Sequence, residues 1–118
     1  MAEVIHETTS ISLYDVISEH LGEDLHGQDS VTLFSKNNCV KCTAMKNQLK
    51  SRKVPYLEVN VSESTVAYEF LVQHKIMQLP AIFVHLSSDD IIISTGEMTA
   101  PLEEVLNEVL WRIRSRCQ

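Results

Sequence analysis

Cys39 and Cys42 lie three positions apart in the stretch LFSKNNCVKCTAMKNQLK, where an apolar run gives way to a lysine-rich helical pattern. Such a pair has three uses: half of a metal site, a structural clip, or a dithiol that exchanges with other disulfides. A thiol in the first turn of a helix sits beside unpaired backbone N–H groups and the positive end of the helix dipole, and both favour the thiolate. A free cysteine with a pKa of about 8.5 is roughly 3% ionised at neutral pH; one near 7 is about half ionised, a difference worth about 2 kcal/mol. Lys41 inside the pair and Lys36 just before it add positive charge, so both are read as thiolate-stabilising. Cys39, at the exposed end, is the expected nucleophile. Cys42, one turn in, faces the same way and is the expected resolving thiol.

The two other uses have less behind them. His20 and His26 in HLGEDLH, taken with Cys39 and Cys42, make a four-ligand zinc inventory in reversed order. His20 falls at the end of a predicted helix and His26 in an acidic loop, and neither has a reason to approach the cysteines. Two buried structural thiols would need neither the lysines nor a place at a helix cap. The dithiol chemistry itself calls for no metal and no organic cofactor.

The elements that must position the pair follow from periodicity. SVTLFS (30–35) reads as a strand after the turn-prone GQDS. From Cys39 onward, Val40, Ala44, Met45 and Leu49 alternate with Lys41, Lys46, Gln48 and Lys50 at helical spacing. Asn38 is the expected N-cap, and Pro55 should stop the helix near Lys53. PYLEVNV (55–61) reads as a second strand. A helix capped by Ser62 or Ser64 should run to about Lys75. LPAIFVHL (79–86) and IIIST (91–95), joined by SSDD, read as an antiparallel pair. Residues 100–116 form the last helix, with Pro101, Glu103 and Glu104 at its start and Arg112, Arg114 and Arg116 at its end, an order that suits the dipole. The order β-α-β-α-β-β-α predicts an α/β domain, a four-stranded mixed sheet flanked by helices, over 30–118. Ahead of it lies an N-terminal extension, residues 1–29, holding a possible strand at 3–8 and an amphipathic helix at 12–21 that Gly22 ends.

Composition fits one domain. The chain has 118 residues, 44% of them hydrophobic, and an odd three cysteines, too few for a disulfide framework. No run approaches a membrane span, and no secretion signal is evident, so a cytoplasmic monomer is expected. The net charge of −6 speaks against a nucleic-acid surface. The charge is unevenly spread: residues 1–30 carry seven acids and no Lys or Arg, while residues 36–53 carry six bases and no acid. A basic face around the cysteines would draw an acidic partner or the chain's own N-terminus.

The segments VTLFSKNNCVKCTAMKNQLKSRKVPYLEVNV and LPAIFV resemble the glutaredoxin-like branch of the thioredoxin superfamily, and within it the NrdH-type redoxins, over about residues 30–110. The resemblance implies the thioredoxin fold and a dithiol oxidoreductase acting through Cys-Val-Lys-Cys. Cys39 matches the nucleophile, Cys42 the resolving thiol and Lys36 the lysine before the active-site loop. Pro80 matches a cis-proline, whose turn would present the Leu79 backbone to an extended substrate segment. Thr95 and Gly96 match the turn that also contacts substrate. The implied substrate is a protein disulfide, ribonucleotide reductase foremost, with thioredoxin reductase or glutathione as reductant. Glutathione-dependent glutaredoxins carry a Gly-Gly-x-Asp type turn where this chain has STGEMTAP, and Glu97 there would repel the tripeptide's carboxylate. A glutathione-dependent glutaredoxin is the alternative enzyme, and a metal-binding or iron–sulfur module the alternative of another class.

Four further residues attract notice. Trp111 is expected to pack in the core or at its rim with Leu106, Leu110 and Ile113. Met45 and Met77 are gap-fillers or substrate contacts. Cys117 lies beyond the last predicted turn.

Overall fold

The computed structural model describes residues 11–22 and 24–116. The strand expected at 3–8 and Cys117 lie outside the described residues. Helix α1 (Leu13–Leu21) is followed by β1 (Ser30–Ser35), α2 (Val40–Ser51), β2 (Leu57–Asn60), a 3-10 turn (Val61–Glu63), α3 (Thr65–Gln73), β3 (Ala81–His85), β4 (Ile91–Thr95) and α4 (Ala100–Arg116). The strands form one four-stranded sheet in the order β2-β1-β3-β4. β1 runs parallel to β2 and antiparallel to β3, and β3 runs antiparallel to β4. This is the mixed α/β sheet that the element order predicts.

β1 and β3 are covered on both faces, which explains their unbroken apolar character. Alternate residues serve two cores. On one face Phe34, Val59, Ala81 and Phe83 meet α1 and α3 through Val16, Ile17, Ala67 and Phe70. On the other, Val31, Leu33, Ile82 and Val84 meet α2 and α4 through Met45, Leu49, Leu106 and Val109. Phe34, Phe70 and Phe83 form a ring cluster with centroids 5.1–5.7 Å apart.

α1 belongs to the first core. Ser12 caps it, accepting from the Asp15 N–H while Asp15 accepts from the Ser12 N–H, and Gly22 ends it in the left-handed region. The Tyr14 hydroxyl lies 2.9 Å from His85 Nε2, and His85 Nδ1 donates to the Gln28 carbonyl at 2.6 Å. His85 is opposite Ser30, so this latch closes the end of the sheet away from the cysteines. Burial, and then the charges of Asp89 and Asp24, push the Tyr14 hydroxyl above its usual pKa.

Element ends differ from expectation for physical reasons. The second strand is limited to 57–60: Pro55 has no N–H to donate, and Asn60 caps the 3-10 turn by accepting from the Ser62 N–H at 2.8 Å. α3 stops at Gln73 because Lys75 turns left-handed (φ 59°), and the Ile76 N–H returns to the Leu71 carbonyl. α2 ends the same way, with Lys53 at φ 58° and the Val54 N–H on the Leu49 carbonyl. Trp111 corrects an expectation. Leu106, Val109 and the partly buried Ile113 take the inward face of α4, and Trp111 on the outer face is 67% exposed.

Candidate functional site: the Cys39–Cys42 pair

β1 ends at Ser35, and three residues later the chain turns through Asn38 in the left-handed region (φ 57°) into α2. Asparagine tolerates that conformation better than most side chains. The loop is pinned from the next strand: the Asn37 N–H donates to Ser62 Oγ (3.0 Å), and Asn60 Nδ2 donates to Asn37 Oδ1 (2.9 Å).

The helix cap is Cys39, not Asn38. Its Sγ accepts from the Cys42 N–H at 3.1 Å, while the Thr43 N–H and hydroxyl donate to the Cys39 carbonyl at 3.1 and 3.3 Å. Asn38 is already committed to the left-handed turn, so the cap passes to the next residue. The two cysteines are joined as a disulfide, with Cα atoms 5.2 Å apart. Cys42 is 1% exposed and Cys39 is half-buried.

The concavity around the pair is lined by Lys36, Asn37, Asn38, Thr43, Lys46 and Asn60 as well as Val40 and the cysteines, with no carboxylate among the described lining residues. Lys36 thus lines the same concavity as the two cysteines. Lys41 lines a different groove, on the flank of α2, with Val40, Glu97 and Met98. Lys46 takes a place in the concavity that sequence reasoning missed. Its spacing of four from Cys42 on a helix was the available signal. Asn60 is brought in by tertiary packing alone, and nothing local marks it.

Lys46 also reaches Glu58 at 2.6 Å, and Ser35 Oγ donates to the same carboxylate at 3.0 Å. Burial alone would raise the Glu58 pKa. The hydrogen bonds from Lys46 and Ser35 and the charges of Lys46 and Lys50 together outweigh it, and the group is held below the usual carboxylate value.

Beside the end of β1, the Leu79–Pro80 bond is cis. The Gly96 N–H donates to the Pro80 carbonyl at 2.9 Å, and Thr95 lies opposite Ala81. Leu79, Pro80, Thr95 and Gly96 thus share one corner of the sheet. Gly96 has φ +84°, and a Cβ there would come within 3.3 Å of Gln78 Nε2. Glu97, next along, is exposed.

His26 is remote from this corner. It hydrogen-bonds Asp24 at 2.9 Å and stacks on Tyr14 with ring centroids 3.9 Å apart, at the latch end of the sheet. The acids of α1 do not reach the basic helix either: Asp15 caps its own helix, and α1 packs on the sheet face opposite α2.

The glutaredoxin family profile matches residues 31–86. Over 52 residues the chain is 31% identical to the glutaredoxin-like protein NrdH of Lactococcus lactis subsp. cremoris, covering 44% of this chain and 72% of that protein. Among solved structures, chloroplastic thioredoxin z is similar with a TM-score of 0.57 and 14% identity, covering 85% of this chain and 91% of that one. Fasciola hepatica thioredoxin is similar with a TM-score of 0.54 and 16% identity, covering 91% and 92%. These two are likenesses of fold, the thioredoxin fold.

Proposed function

The chain belongs to the glutaredoxin-like branch of the thioredoxin superfamily, an NrdH-like thiol–disulfide oxidoreductase, and from that premise we propose that Cys39 attacks a protein disulfide and Cys42 completes the exchange. The observation that carries the reading is the capping bond. The N–H that meets Cys39 Sγ in the disulfide is already aimed at the position where the thiolate's charge stands after reduction, and Lys36 and Lys46 line the same concavity.

The steps balance. The Cys39 thiolate forms a bond to one substrate sulfur, the substrate S–S bond breaks, and the leaving thiolate takes a proton from water. Cys42 then loses its proton and attacks Cys39 Sγ. The mixed disulfide breaks, the second substrate thiol leaves, and the Cys39–Cys42 disulfide remains. Two electrons have passed to the substrate. The burial of Cys42 suits this order, because only Cys39 is presented to an incoming disulfide. Leu79, Pro80, Thr95 and Gly96 would hold the substrate segment in extended form beside the sulfur.

We propose ribonucleotide reductase as the protein reduced, and thioredoxin reductase in preference to glutathione as the source of electrons. The exposed Glu97 beside Gly96 supports that preference, since it puts a negative charge where a tripeptide's carboxylate would bind. The test is turnover of a ribonucleotide reductase disulfide with NADPH and thioredoxin reductase, run beside the same assay with glutathione. Turnover with glutathione alone would reverse the choice of reductant. Alkylation of reduced Cys39 at neutral pH no faster than that of free cysteine would remove the mechanism.

A further inference from the structure

The two edges of the sheet are not protected alike. β2, at one edge, is four residues long and carries Glu58, which Lys46 meets. β4, at the other, puts Ile91, Ile92 and Ile93 in a row, 37%, 38% and 46% exposed. It holds no proline and no charge, and its register with β3 runs from Ile91 to Thr95 without a bulge. Proline, charge, bulges and short length are the devices that keep an edge strand from pairing. The backbone of β4 is open as well. The Leu86 N–H donates to the Asp90 carbonyl and the Gly96 N–H to the Pro80 carbonyl, each at 2.9 Å. Antiparallel bonds alternate, so Ile92 and Ser94 turn their backbone groups toward β3, while Ile91 and Ile93 turn theirs outward. No described backbone group meets them there.

Charge decides what can lie along this edge. Toward α4, Ile92 borders a hollow of about 210 Å³ with Leu86, Val105, Glu104, Glu108 and Arg112. That is below the roughly 300–1,000 Å³ of small-molecule sites and is scaled to one side chain. Arg112 holds Glu108 at 3.0 Å, whereas the exposed Glu104 makes no ion pair among the described residues. Asp89 and Asp90 precede β4, and Glu97 follows it. A second copy paired antiparallel about Ile93 would set Asp89 opposite Glu97 at both ends, and like charges directly opposite are destabilising. Residues 3–8 of the chain itself carry Glu3 and Glu7 and no Lys or Arg. We propose that the free edge of β4 takes a fifth strand from another protein, an extended segment that alternates apolar and basic residues. Its backbone pairs with Ile91 and Ile93. Its apolar side chains lie beside those two isoleucines, on the face that they share with Phe83. On the other face the stem of a lysine or arginine covers Ile92, and its charged head meets Glu104.

Fluorescent peptides without cysteine, titrated into the oxidised full-length protein by anisotropy, test this apart from any thiol chemistry. One alternates valine with lysine and one valine with glutamate. A third is the lysine peptide with N-methyl groups on two adjacent central residues, so that its charge is kept and neither of its edges can pair. The plain lysine peptide should bind about tenfold tighter than either other and weaken as salt rises. It should slow amide exchange at Ile91 and Ile93 and leave Ile92, already bonded to β3, unchanged. Ile93→Pro removes only an outward N–H and should lower the affinity about tenfold. Glu104→Lys, on an exposed helix position, should lower it about threefold with the fold intact, and this variant decides the matter if Ile93→Pro unfolds. Equal affinity for the N-methylated peptide, preference for the glutamate peptide, or binding that Glu104→Lys leaves unchanged would overturn the proposal. So would a dimer in sedimentation that the lysine peptide disperses, since the edge would then belong to a second copy.

Discussion

The Cys39 sulfur takes the Cys42 backbone N–H at 3.1 Å, so one side chain is both the cap of α2 and the proposed nucleophile. Serine is a strong N-cap and alanine a weak one. Under reducing conditions, Cys39→Ser should unfold in urea close to the parent, whereas Cys39→Ala should be about 1 kcal/mol less stable than Cys39→Ser. Both should lose disulfide turnover entirely. A turnover assay beside the urea curves separates the two duties of the residue, and equal stability of the two variants would show that the cap contributes nothing.

Glu58 should make the fold acid-sensitive. Its pKa is depressed in the folded chain, so its contribution is complete above the unfolded value and is lost as pH falls through the lowered folded one. Glu58→Gln should cost no more than about 1 kcal/mol at pH 7, because the pair with Lys46 is partly exposed. The difference from the parent should vanish at low pH. Freed from its partner, Lys46 should also leave more positive charge beside the dithiol, and alkylation of reduced Cys39 should quicken. Urea midpoints from pH 7 to 3 and iodoacetamide rates measure the two effects.

Thr32 sits fully inside the first core with no hydrogen-bond partner for its hydroxyl. Thr32→Val keeps the β-branched shape and removes the unpaired polar group. It should stabilise the protein by about 1 kcal/mol, read as a higher urea midpoint at unchanged slope. A loss of stability would mean that the hydroxyl is satisfied in solution.

Two helices end on a lysine in the left-handed region, where glycine is the usual solution. Lys53→Gly and Lys75→Gly should each stabilise by about 0.5–1 kcal/mol, the relief of left-handed strain less the extra freedom glycine has when unfolded. Gly96→Ala should do the reverse and lose about 1 kcal/mol, since its φ of +84° disfavours any side chain. Thermal melts of the three variants give the signs directly.

β1 and α4 could be read to the residue because their boundaries are set locally, by turn-prone GQDS ahead of one and Pro101 at the start of the other. The cysteine pair was legible for the same reason: three-residue spacing at a strand-to-helix transition is a local pattern. Contacts across the chain were not. The Asn37–Asn60 bond spans 23 residues, and no propensity marks either side chain for the other. Nor did spacing reveal which way Lys41 would turn: Val40 borders both the dithiol concavity and the groove on the flank of α2, and Lys41 lines the groove alone. Trp111 misled for a related reason. It is next to Leu110 in sequence, but the inward stripe of α4 is set by where the sheet lies.

Leu13, Val16, Ile17 and Leu25 lie against the same wall as Phe34, Phe70 and Phe83. A version of this chain engineered to begin at β1, in imitation of a minimal redoxin, would therefore bare a phenylalanine-rich surface to water. Its dithiol would be chemically intact, yet such a fragment should clump at concentrations the parent tolerates, and its rate should fall through self-association where removal of an inhibitory segment would have raised it.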